Sequence, residues 1–587
     1  MKQIRMTAIL LAAALLLSLC CVGCAKDPTE TAANVSTAKP DPALTETLTE
    51  NTEATEPIPA DVVPERLKNG GKLRFLPEER LHVPTPSEMV YTRPDTEKLI
   101  ADLEALTEKV PGCNDAEALL KDYYIILQEI CDLETMDALA LYRYSLDMSD
   151  DFYAEEYDFC EEQYGIEAEK EDALYAAFAT SPCRDALEQA YFGEGFFRDY
   201  DDFNTADESY FDWKQQENDL LFQYYELSAE ADFSSSRQIE LNHEAAGGIF
   251  IELVKVRQQL AAAKGYDNYM DYSYACDFQR DYTTALARDY LDQLKTWIAP
   301  LMQNKKIANQ YSEYSSWDES KAMKMLSAAA KRMGGPIWES YRFLSGHELY
   351  DIASAPNKMS IGYTTYFDNY EAPFIFVDPD TKDLVFTLFH EFGHFTDWYR
   401  NYCIAGDYET GETYSQAMQY LAFAYAEPFT DRAREKNLRA TLSDLLIYSV
   451  LQEGAFGDFE LRVYAMAPEE LTVEKLDEVF GQCLADYGLA GLSGIRFKDN
   501  FWSVYQHFFA YPGYVISYSN SAVAAMQICR LEAEEPGAGV KAFCRLLDRT
   551  HGKKFAAVLA EAGLDSPFEA ATLEKTAEFL KQVFEMD

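Results

Sequence analysis

The chain of 587 residues is poor in basic residues. It has 51 lysines and arginines against 100 aspartates and glutamates, which gives a formal net charge of −49 at pH 7. A charge of this size repels the phosphates of nucleic acids and of anionic lipid head groups. Nucleic acid is therefore not an expected partner, and neither is an acidic membrane docked directly on the protein surface. The excess of carboxylates favours solubility instead.

Clustered cysteines are missing from most of the chain. Beyond the N-terminal group at positions 20, 21 and 24, nine cysteines are scattered at positions 113, 131, 160, 183, 276, 403, 483, 529 and 544. Their number is odd and none forms a C-x-x-C pair, so the spacing predicts neither a disulfide framework nor a cysteine zinc site. An isolated disulfide remains open.

Long apolar runs are absent after the N-terminus. Residues 8–19 are mostly apolar and follow the positive charges of Lys2 and Arg5, but the run is too short to favour a membrane-spanning helix. This pattern is typical of an export signal. The chain is therefore expected to leave the cytoplasm.

The sequence V-G-C at residues 22–24 resembles the lipobox of bacterial lipoproteins, in which the cysteine is lipidated and becomes the new N-terminus. We therefore expect a lipoprotein signal peptide at residues 1–23 and a lipid on Cys24. Two alternatives are cleavage before Cys20 and an ordinary secreted protein cut nearby. A lipid on Cys24 would anchor the protein to the outer face of the bacterial cell membrane.

A tether and a body follow this signal. Residues 24–65 are rich in Thr, Glu, Ala and Pro and contain no aromatic residue, so they predict a disordered acidic tether. Residues 66–587 are numerous enough to bury an extensive core, and 14% of the whole chain is aromatic. We expect this body to be globular.

Apolar periodicity predicts helix through most of the body. The helical segments are 96–148, 150–178, 206–230, 236–264, 281–304, 411–456 and 514–549. Residues 359–378 are the exception and predict two short strands around a turn at 368–372. Such a strand pair could offer its edge to an extended peptide.

The most informative feature is the sequence H-E-F-G-H at residues 390–394. Two histidines four residues apart lie on one face of a helix, so both imidazoles can reach one tetrahedral Zn²⁺. Glu391 would then accept a proton from the attacking water. Asp380 is the expected N-cap, and Gly393 indicates close approach of another element or of the substrate. The alternative interpretation is a structural core helix whose histidines are satisfied by neighbours.

Two histidines leave a zinc ion one protein ligand short. The nearest downstream candidates are Glu409, Glu412 and Glu427. Glu412 begins the segment E-T-Y-S-Q-A-M-Q at residues 412–419, which opens a long helical pattern. The residues alone leave all three glutamates open.

With this segment the chain resembles the oligoendopeptidase F and thimet oligopeptidase family of zinc peptidases. The third-ligand helix of that family carries E-x-x-S, often followed by Gln, and Glu412, Ser415 and Gln416 match it. The sequence departs from the family at Gln419, where a second acidic residue is usual, and in a shorter segment before Glu412. The resemblance covers roughly residues 236–535.

The resemblance implies a fold and a metal. The fold would be mainly α, a two-lobed helical zinc-peptidase fold with a deep central cleft and a small β-sheet beside the zinc helix. The zinc-site core would span about residues 340–535. One Zn²⁺ per chain would be held by His390, His394 and Glu412, with Glu409 and Glu427 as alternatives to the last.

Further candidates lie near the C-terminus, where His507 is followed by Y-P-G-Y at residues 511–514 and by Tyr518. Family members place a histidine and tyrosines opposite the zinc, so the resemblance implies that His507 contacts the substrate backbone. It also makes Tyr518, ahead of Tyr514, the donor to the oxyanion. The two tyrosines would share a helix face if the Pro-Gly pair opens a helix. Alternatively, both are core aromatics.

Together these features predict a zinc metalloendopeptidase that hydrolyses short, unstructured extracytoplasmic oligopeptides by water attack, with Glu391 as general base. Three alternatives remain. They are a non-catalytic peptide-binding surface lipoprotein, a zinc carboxypeptidase of related helical fold, and an acidic adhesin in which the histidine motif is incidental. The cleavage preference and the oligomeric state are not specified by the sequence.

Overall fold

The computed structural model describes residues 83–193, 195–200, 208–230, 236–310, 318–379, 384–401, 407–426, 431–548 and 553–586. The predicted signal peptide and tether, together with Cys24, Asp380 and Glu427, lie outside the described residues. None of the helices in the described part has the length and apolar character needed to cross a membrane. None of the eight cysteines that the structure describes forms a disulfide with another of them.

Helices form most of the described chain before the sheet. They are α1 Thr96–Lys109, α2 Ala116–Leu146, α3 Asp151–Thr180, α4 Arg184–Leu187, α5 Glu208–Glu230, α6 Ser236–Ala263, α7 Tyr269–Tyr272, α8 Thr284–Gln293, α9 Glu319–Met333 and α10 Gly335–Gly346. The carboxylates of Asp95, Asp115 and Asp150 accept hydrogen bonds from backbone N–H groups in the first turns of α1, α2 and α3. These N-caps explain where the three helices begin.

Three short strands form the sheet. They are β1 Tyr350–Asp351, β2 Gly362–Phe367 and β3 Ala372–Val377, in the order β1-β3-β2. β2 pairs antiparallel with β3, and β1 pairs parallel with it. A turn containing Glu371 at φ 44° joins β2 to β3, which confirms the predicted strand pair. Both strands of the pair are buried throughout.

The chain returns to helix after the sheet. The elements are α11 Leu384–Asn401, α12 Tyr408–Tyr425, α13 Asp431–Asp444, α14 Glu453–Val463, α15 Val473–Asp486, α16 Gln506–Ala510, α17 Ile516–Glu534, α18 Ala538–Leu547, α19 Phe555–Ala562 and α20 Ala570–Val583. α11 packs on β2 and β3 and also against α12, which in turn packs on α17. This sequence of contacts joins the sheet to the C-terminal helices.

Two predicted helices before residue 460 are interrupted in the structure. The segment 96–148 is two helices, because a 3-10 turn at Val110–Gly112 contains Pro111 and Asp115 caps the start of α2. The segment 411–456 is divided after Tyr425, where α12 ends. Apolar periodicity continued across both breaks and therefore did not reveal them.

The described residues contain two large hydrophobic cores and a small third cluster formed by Phe278, Tyr514 and Tyr518. The smaller core is formed by α1 to α4 and the turn that follows them. The larger core includes the sheet and most of the later helices, and Phe389, Phe392 and Phe395 anchor α11 in it. The predicted mainly helical fold with a small sheet beside α11 is confirmed.

Candidate active site

His390 and His394 lie on α11 with their rings side by side, the centroids being 5.0 Å apart. Nε2 of each ring is buried and has no hydrogen-bond partner in the part of the chain that the structure describes. Burial lowers the pKa of His394 to about 4 and that of His390 well below its ordinary value. Both imidazoles are therefore neutral near pH 7, with lone pairs available for a metal.

Glu412 lies on α12 opposite these two nitrogens. Its Oε2 is 3.8 Å from His390 Nε2, and its Oε1 is 3.9 Å from His394 Nε2. The hydroxyl of Ser415 donates to Oε2 over 3.2 Å. Burial raises the pKa of Glu412 to about 8, although Ser415 and Tyr514 lower it. The candidate third ligand thus faces both histidines and is held in place by Ser415.

Gly393 allows this approach. A Cβ at Gly393 would lie 2.5 Å from Ser415 Cα and 2.6 Å from Tyr414 O, distances that no side chain tolerates. Because glycine has no Cβ, the backbone of α12 can lie directly against α11. The close approach expected at Gly393 is therefore made by α12, the helix that carries Glu412.

The three side chains could hold a metal ion, because their ligand atoms all lie within 4.8 Å of one another. Zn²⁺ binds such ligands at about 2.0–2.2 Å, and tetrahedral geometry then separates them by roughly 3.3–3.6 Å. The separations of 3.8 and 3.9 Å come close to this spacing. Two buried, unpaired imidazole nitrogens that face a carboxylate also form a donor set that suits zinc.

Glu391 lies next to these groups and is fixed by the sheet. Thr364 on β2 donates its hydroxyl to Glu391 Oε2 over 2.8 Å. Burial raises the pKa of Glu391 to about 8, although the hydrogen bond from Thr364 lowers it. A carboxyl group with a pKa near neutrality is suited to accept and release a proton. Nothing in the sequence distinguished Thr364 from its neighbour Thr365, so this contact was not predicted.

Glu409, an alternative third ligand, has a different role. Its Oε1 accepts hydrogen bonds from Arg280 Nε at 2.8 Å, Tyr282 at 2.6 Å and Ser517 at 2.9 Å. Burial would raise the pKa of Glu409, but the charge of Arg280 and these hydrogen bonds hold it below its ordinary value. Glu409 therefore belongs to a buried ion pair away from the metal ligands.

Gln419 lies beside His390. It is buried on α12. Burial and then His394 lower the pKa of His390, and the side chain of Gln419 raises it. Gln419 is therefore close enough to His390 to affect its protonation. In this chain an amide fills the position where the resemblance implied a carboxylate.

His507, Tyr514 and Tyr518 come together beside Glu412. The ring of His507 stacks on that of Tyr514 at 5.6 Å, and its Nε2 lies 3.5 Å from the hydroxyl of Tyr518. Burial raises the pKa of both tyrosines well above the ordinary value, so both hydroxyls remain protonated. Burial and then the charge of Arg496 lower the pKa of His507 to about 3. All three side chains are therefore uncharged near pH 7.

The Pro-Gly pair before these tyrosines does not open a helix. α17 begins at Ile516, so Tyr514 precedes it, and the Pro-Gly pair forms a turn in which Gly513 has φ +95°. Arg280 Nη1 donates to Gly513 O over 2.8 Å, and Arg280 Nη2 donates to Ser517 Oγ over 2.6 Å. Although the tyrosines do not share a helix face, this turn brings their rings within 5.0 Å of each other. The predicted helix 514–549 is also divided, into α17 and α18.

Comparison with known proteins identifies the fold. A Peptidase M3 N-terminal domain matches residues 87–212, and Peptidase family M3 matches residues 339–578. No curated protein matches the chain. Two similar solved structures are PZ peptidase A with an inhibitor and a protein assigned as an oligoendopeptidase F from Bacillus anthracis str. Ames.

Both structures share 23% sequence identity with this chain, with TM-scores of 0.72 and 0.69. The matches cover 86% of this chain in each case, and 99% and 98% of the two solved chains. At this identity the likeness shows a common fold. The two family matches together span more than half of the sequence, and the second contains His390, His394 and Glu412. The chain therefore belongs to peptidase family M3 and is a peptidase, as the resemblance implied.

Proposed function

We propose that this peptidase is a zinc metalloendopeptidase that hydrolyses short peptides by water attack. The observation that carries the proposal is the arrangement of two unpaired imidazole nitrogens facing Glu412, with a second buried carboxyl group, Glu391, on the adjacent position of α11. His390, His394 and Glu412 would hold one Zn²⁺. A bound zinc ion supplies Lewis-acid chemistry, polarising a carbonyl and lowering the pKa of water.

Glu391 acts as the general base in this proposal. Its carboxylate takes a proton from the attacking water and later transfers it to the leaving amine. The hydroxyl of Thr364 holds one carboxylate oxygen, which leaves the other to accept the proton. A positive charge beside Glu391 lowers its pKa, so the base is ionised when the metal site is filled.

Tyr514, Tyr518 and His507 stabilise the negative charge that develops on the substrate carbonyl oxygen. Their burial favours this role, because hydrogen bonds to a developing charge are strongest where water is excluded. Tyr518→Phe and Tyr514→Phe should each lower kcat while zinc content stays at the wild-type level, and Tyr518→Phe should lower it more. If both variants keep a normal kcat, neither tyrosine stabilises the transition state. If a variant loses zinc, the role of that tyrosine is structural.

The sheet supports a peptide substrate. β2 is an outer strand, and Thr364 on it contacts Glu391 directly. An extended peptide paired with the outer edge of β2 would thus run past the catalytic carboxylate. A cleft between two lobes would admit short unstructured peptides and exclude folded proteins.

Export and lipid anchoring complete the proposal. The V-G-C sequence at residues 22–24 and the acidic tether after it support a lipid on Cys24 and a body held at the outer face of the bacterial cell membrane. Intact mass spectrometry of the mature protein tests this directly. A lipid mass on Cys24 supports anchoring, and a free N-terminus at another residue without lipid contradicts it.

The metal assignment is tested by metal analysis of purified variants. Glu412→Gln should sharply reduce the zinc content from one ion per chain, because a neutral amide is a poor zinc ligand. Glu427→Gln is the matched variant and should retain its zinc. The opposite result, with zinc retained in Glu412→Gln and lost in Glu427→Gln, would move the third ligand to Glu427. Quenched-peptide cleavage with and without a chelator links the metal to activity.

A further inference from the structure

Two carboxyl groups without a basic partner lie close together on α2 and α3. Asp137 on α2 is 2% exposed, and its Oδ1 forms no hydrogen bond within the part of the chain that the structure describes. Burial and then the charge of Glu161 on α3 raise the pKa of Asp137 well above its ordinary value. No described lysine or arginine forms an ion pair with either group. Two neighbouring carboxylates repel each other unless a cation joins them, so this pair is suited to bind one.

Two tyrosines lie beside these carboxyl groups. α2 and α3 pack against each other, and Tyr157 lies one turn before Glu161 on the same face of α3. The ring of Tyr157 stacks on that of Tyr144 of α2, with the centroids 6.4 Å apart. Tyr144, Tyr157 and Glu161 are each partly exposed, so a ligand can reach them from solvent. We call these three residues and Asp137 the acidic patch.

Direct contacts connect the acidic patch with the candidate active site through β2. Ser145 follows Tyr144 on α2, and its Oγ lies 3.2 Å from the hydroxyl of Tyr363, which donates to it. Tyr363 comes directly before Thr364 on β2, and Thr364 donates to Glu391. α2 therefore packs on the strand that holds the general-base candidate in place.

The acidic patch also faces the tyrosines on the C-terminal side of the site. Tyr511 is partly exposed and packs against the cluster that contains Tyr514 and Tyr518. Burial, then the charge of Tyr225 and then that of Glu161 raise the pKa of Tyr511. Tyr225 on α5 is itself 38% exposed. Glu161 is thus close to two accessible tyrosines, one of which contacts the oxyanion-donor candidates.

We propose that the acidic patch binds a cationic group of the peptide substrate, either its N-terminal ammonium or the side chain of a lysine or arginine. The inference rests on the proposed peptidase function and deepens it, because it assigns a subsite to one charge of the substrate. Glu161 supplies a carboxylate that solvent reaches, and Asp137 adds a second negative charge behind it. The faces of the two tyrosine rings also attract cations. A bound cation stabilises the ionised form of both carboxyl groups.

The acidic composition of the chain does not by itself provide this selection. A formal net charge of −49 attracts cations to the whole surface, but salt screens such attraction beyond about 10 Å. A subsite differs because it depends on particular carboxylates at one place. The test therefore compares Glu161 with another glutamate of the same helix.

Calorimetric binding to the full chain tests the proposal. The protein carries Glu391→Gln so that peptides are not consumed. The probes share one sequence with uncharged side chains and are a peptide with a free N-terminus, its N-acetylated form, and N-acetylated forms with one lysine at successive positions. We expect at least one cationic peptide to bind roughly tenfold or more tightly than the uncharged acetylated peptide, as a charge-assisted hydrogen bond requires. The free N-terminus or the lysine, whichever gives the gain, identifies the source of the cation.

Glu161→Gln on this background should reduce the ratio of cationic to uncharged affinity to near one. Glu162→Gln removes the same charge from the next, exposed position of α3 and should leave the ratio unchanged. A ratio that survives Glu161→Gln, or that falls equally in both variants, overturns the proposal. So does a ratio near one for every cationic peptide before any change in the patch, and this comparison does not depend on how a patch variant folds.

The outcome is separable from that of the proposed function, because binding requires no turnover. An affinity ratio that depends on Glu161 in a protein without peptidase activity would keep the subsite and reject zinc-dependent hydrolysis. Active cleavage without any preference for a cationic peptide would do the reverse. Glu161→Asp keeps the charge and should retain part of the preference, which a loss of shape alone would not explain.

Discussion

Gly393 on the zinc-helix candidate packs directly on the backbone of Ser415, so close that a Cβ would lie 2.5 Å from Ser415 Cα. The two helices meet at this point, and the metal-ligand candidates lie on either side of it. Gly393→Ala should therefore push α12 away from α11 and separate Glu412 from the histidines. We expect the free energy of unfolding to fall by about 1–3 kcal/mol or more, and the zinc content to fall as well.

Gly248→Ala is the matched control for Gly393→Ala. Gly248 lies inside α6, and a Cβ added there would have no described atom within 4 Å. Alanine at this position should stabilise the protein by up to about 1 kcal/mol, because it favours the helix and restricts the unfolded chain. Thermal unfolding and metal analysis of both variants check the prediction. Normal zinc content in Gly393→Ala would show that the helices can separate without disturbing the site.

Thr364→Val should shift the pH dependence of catalysis. The hydroxyl of Thr364 stabilises the ionised form of Glu391, so its removal raises the pKa of that carboxyl group. The apparent pKa of the acidic limb in the pH profile of kcat/KM should therefore rise. The expected rise is about one pH unit for a hydrogen bond worth ~1–1.5 kcal/mol. Thr365→Val changes the neighbouring residue, which makes no such contact, and should leave the limb in place. Identical pH profiles of kcat/KM for the two variants would show that Thr364 has no role in the mechanism.

Arg280 and Glu409 form a buried ion pair, and its removal should lower both the free energy of unfolding and kcat. Arg280→Met leaves the carboxylate of Glu409 buried without its charge partner and should cost about 3–5 kcal/mol of unfolding free energy. The double variant Arg280→Met/Glu409→Gln should recover a large part of that loss. Because Arg280 also holds Gly513 and Ser517, kcat should fall in both variants. Denaturant unfolding in a double-mutant cycle measures the coupling, and strictly additive losses would contradict it.

Zinc binding should release protons at neutral pH. Burial raises the pKa values of Glu412 and Glu391 to about 8, so both are mostly protonated at pH 7 before a metal binds. The histidine pKa values are lowered, so the imidazoles release none. Since zinc requires the carboxylate form, binding should release about one to two protons at pH 7 and markedly fewer above pH 9. Calorimetry in buffers of different ionisation enthalpy measures the number of protons released. A number that does not decrease as the pH rises would contradict these pKa directions.

The sequence predicted the parts of this site that depend on local spacing. His390 and His394 are four residues apart on a helix, and that spacing alone places both imidazoles on one face. The strand pair before α11 was likewise visible in the run of β-branched and aromatic residues. Glu412 could be predicted as the third metal ligand only through the family resemblance, because local periodicity does not indicate which helix lies across from α11.

Contacts between distant segments could not be predicted from the sequence. Thr364 and Thr365 are neighbours of the same residue type, and only the register of β2 on β3 determines which of them faces Glu391. The position of Tyr514 depends on the Gly513 turn and on Arg280, which lies 233 residues earlier in the chain.

The most direct test of the central claim is kcat/KM for quenched peptides with Glu391→Gln, measured with zinc content in the same samples. The amide keeps the shape of the side chain and its contact with Thr364 but cannot accept a proton. We expect one zinc per chain and a fall in kcat/KM of roughly 10²-fold or more, the usual contribution of a general base. Retention of more than about a tenth of the wild-type value would leave less than ~1.4 kcal/mol to Glu391 and would contradict its role as the base.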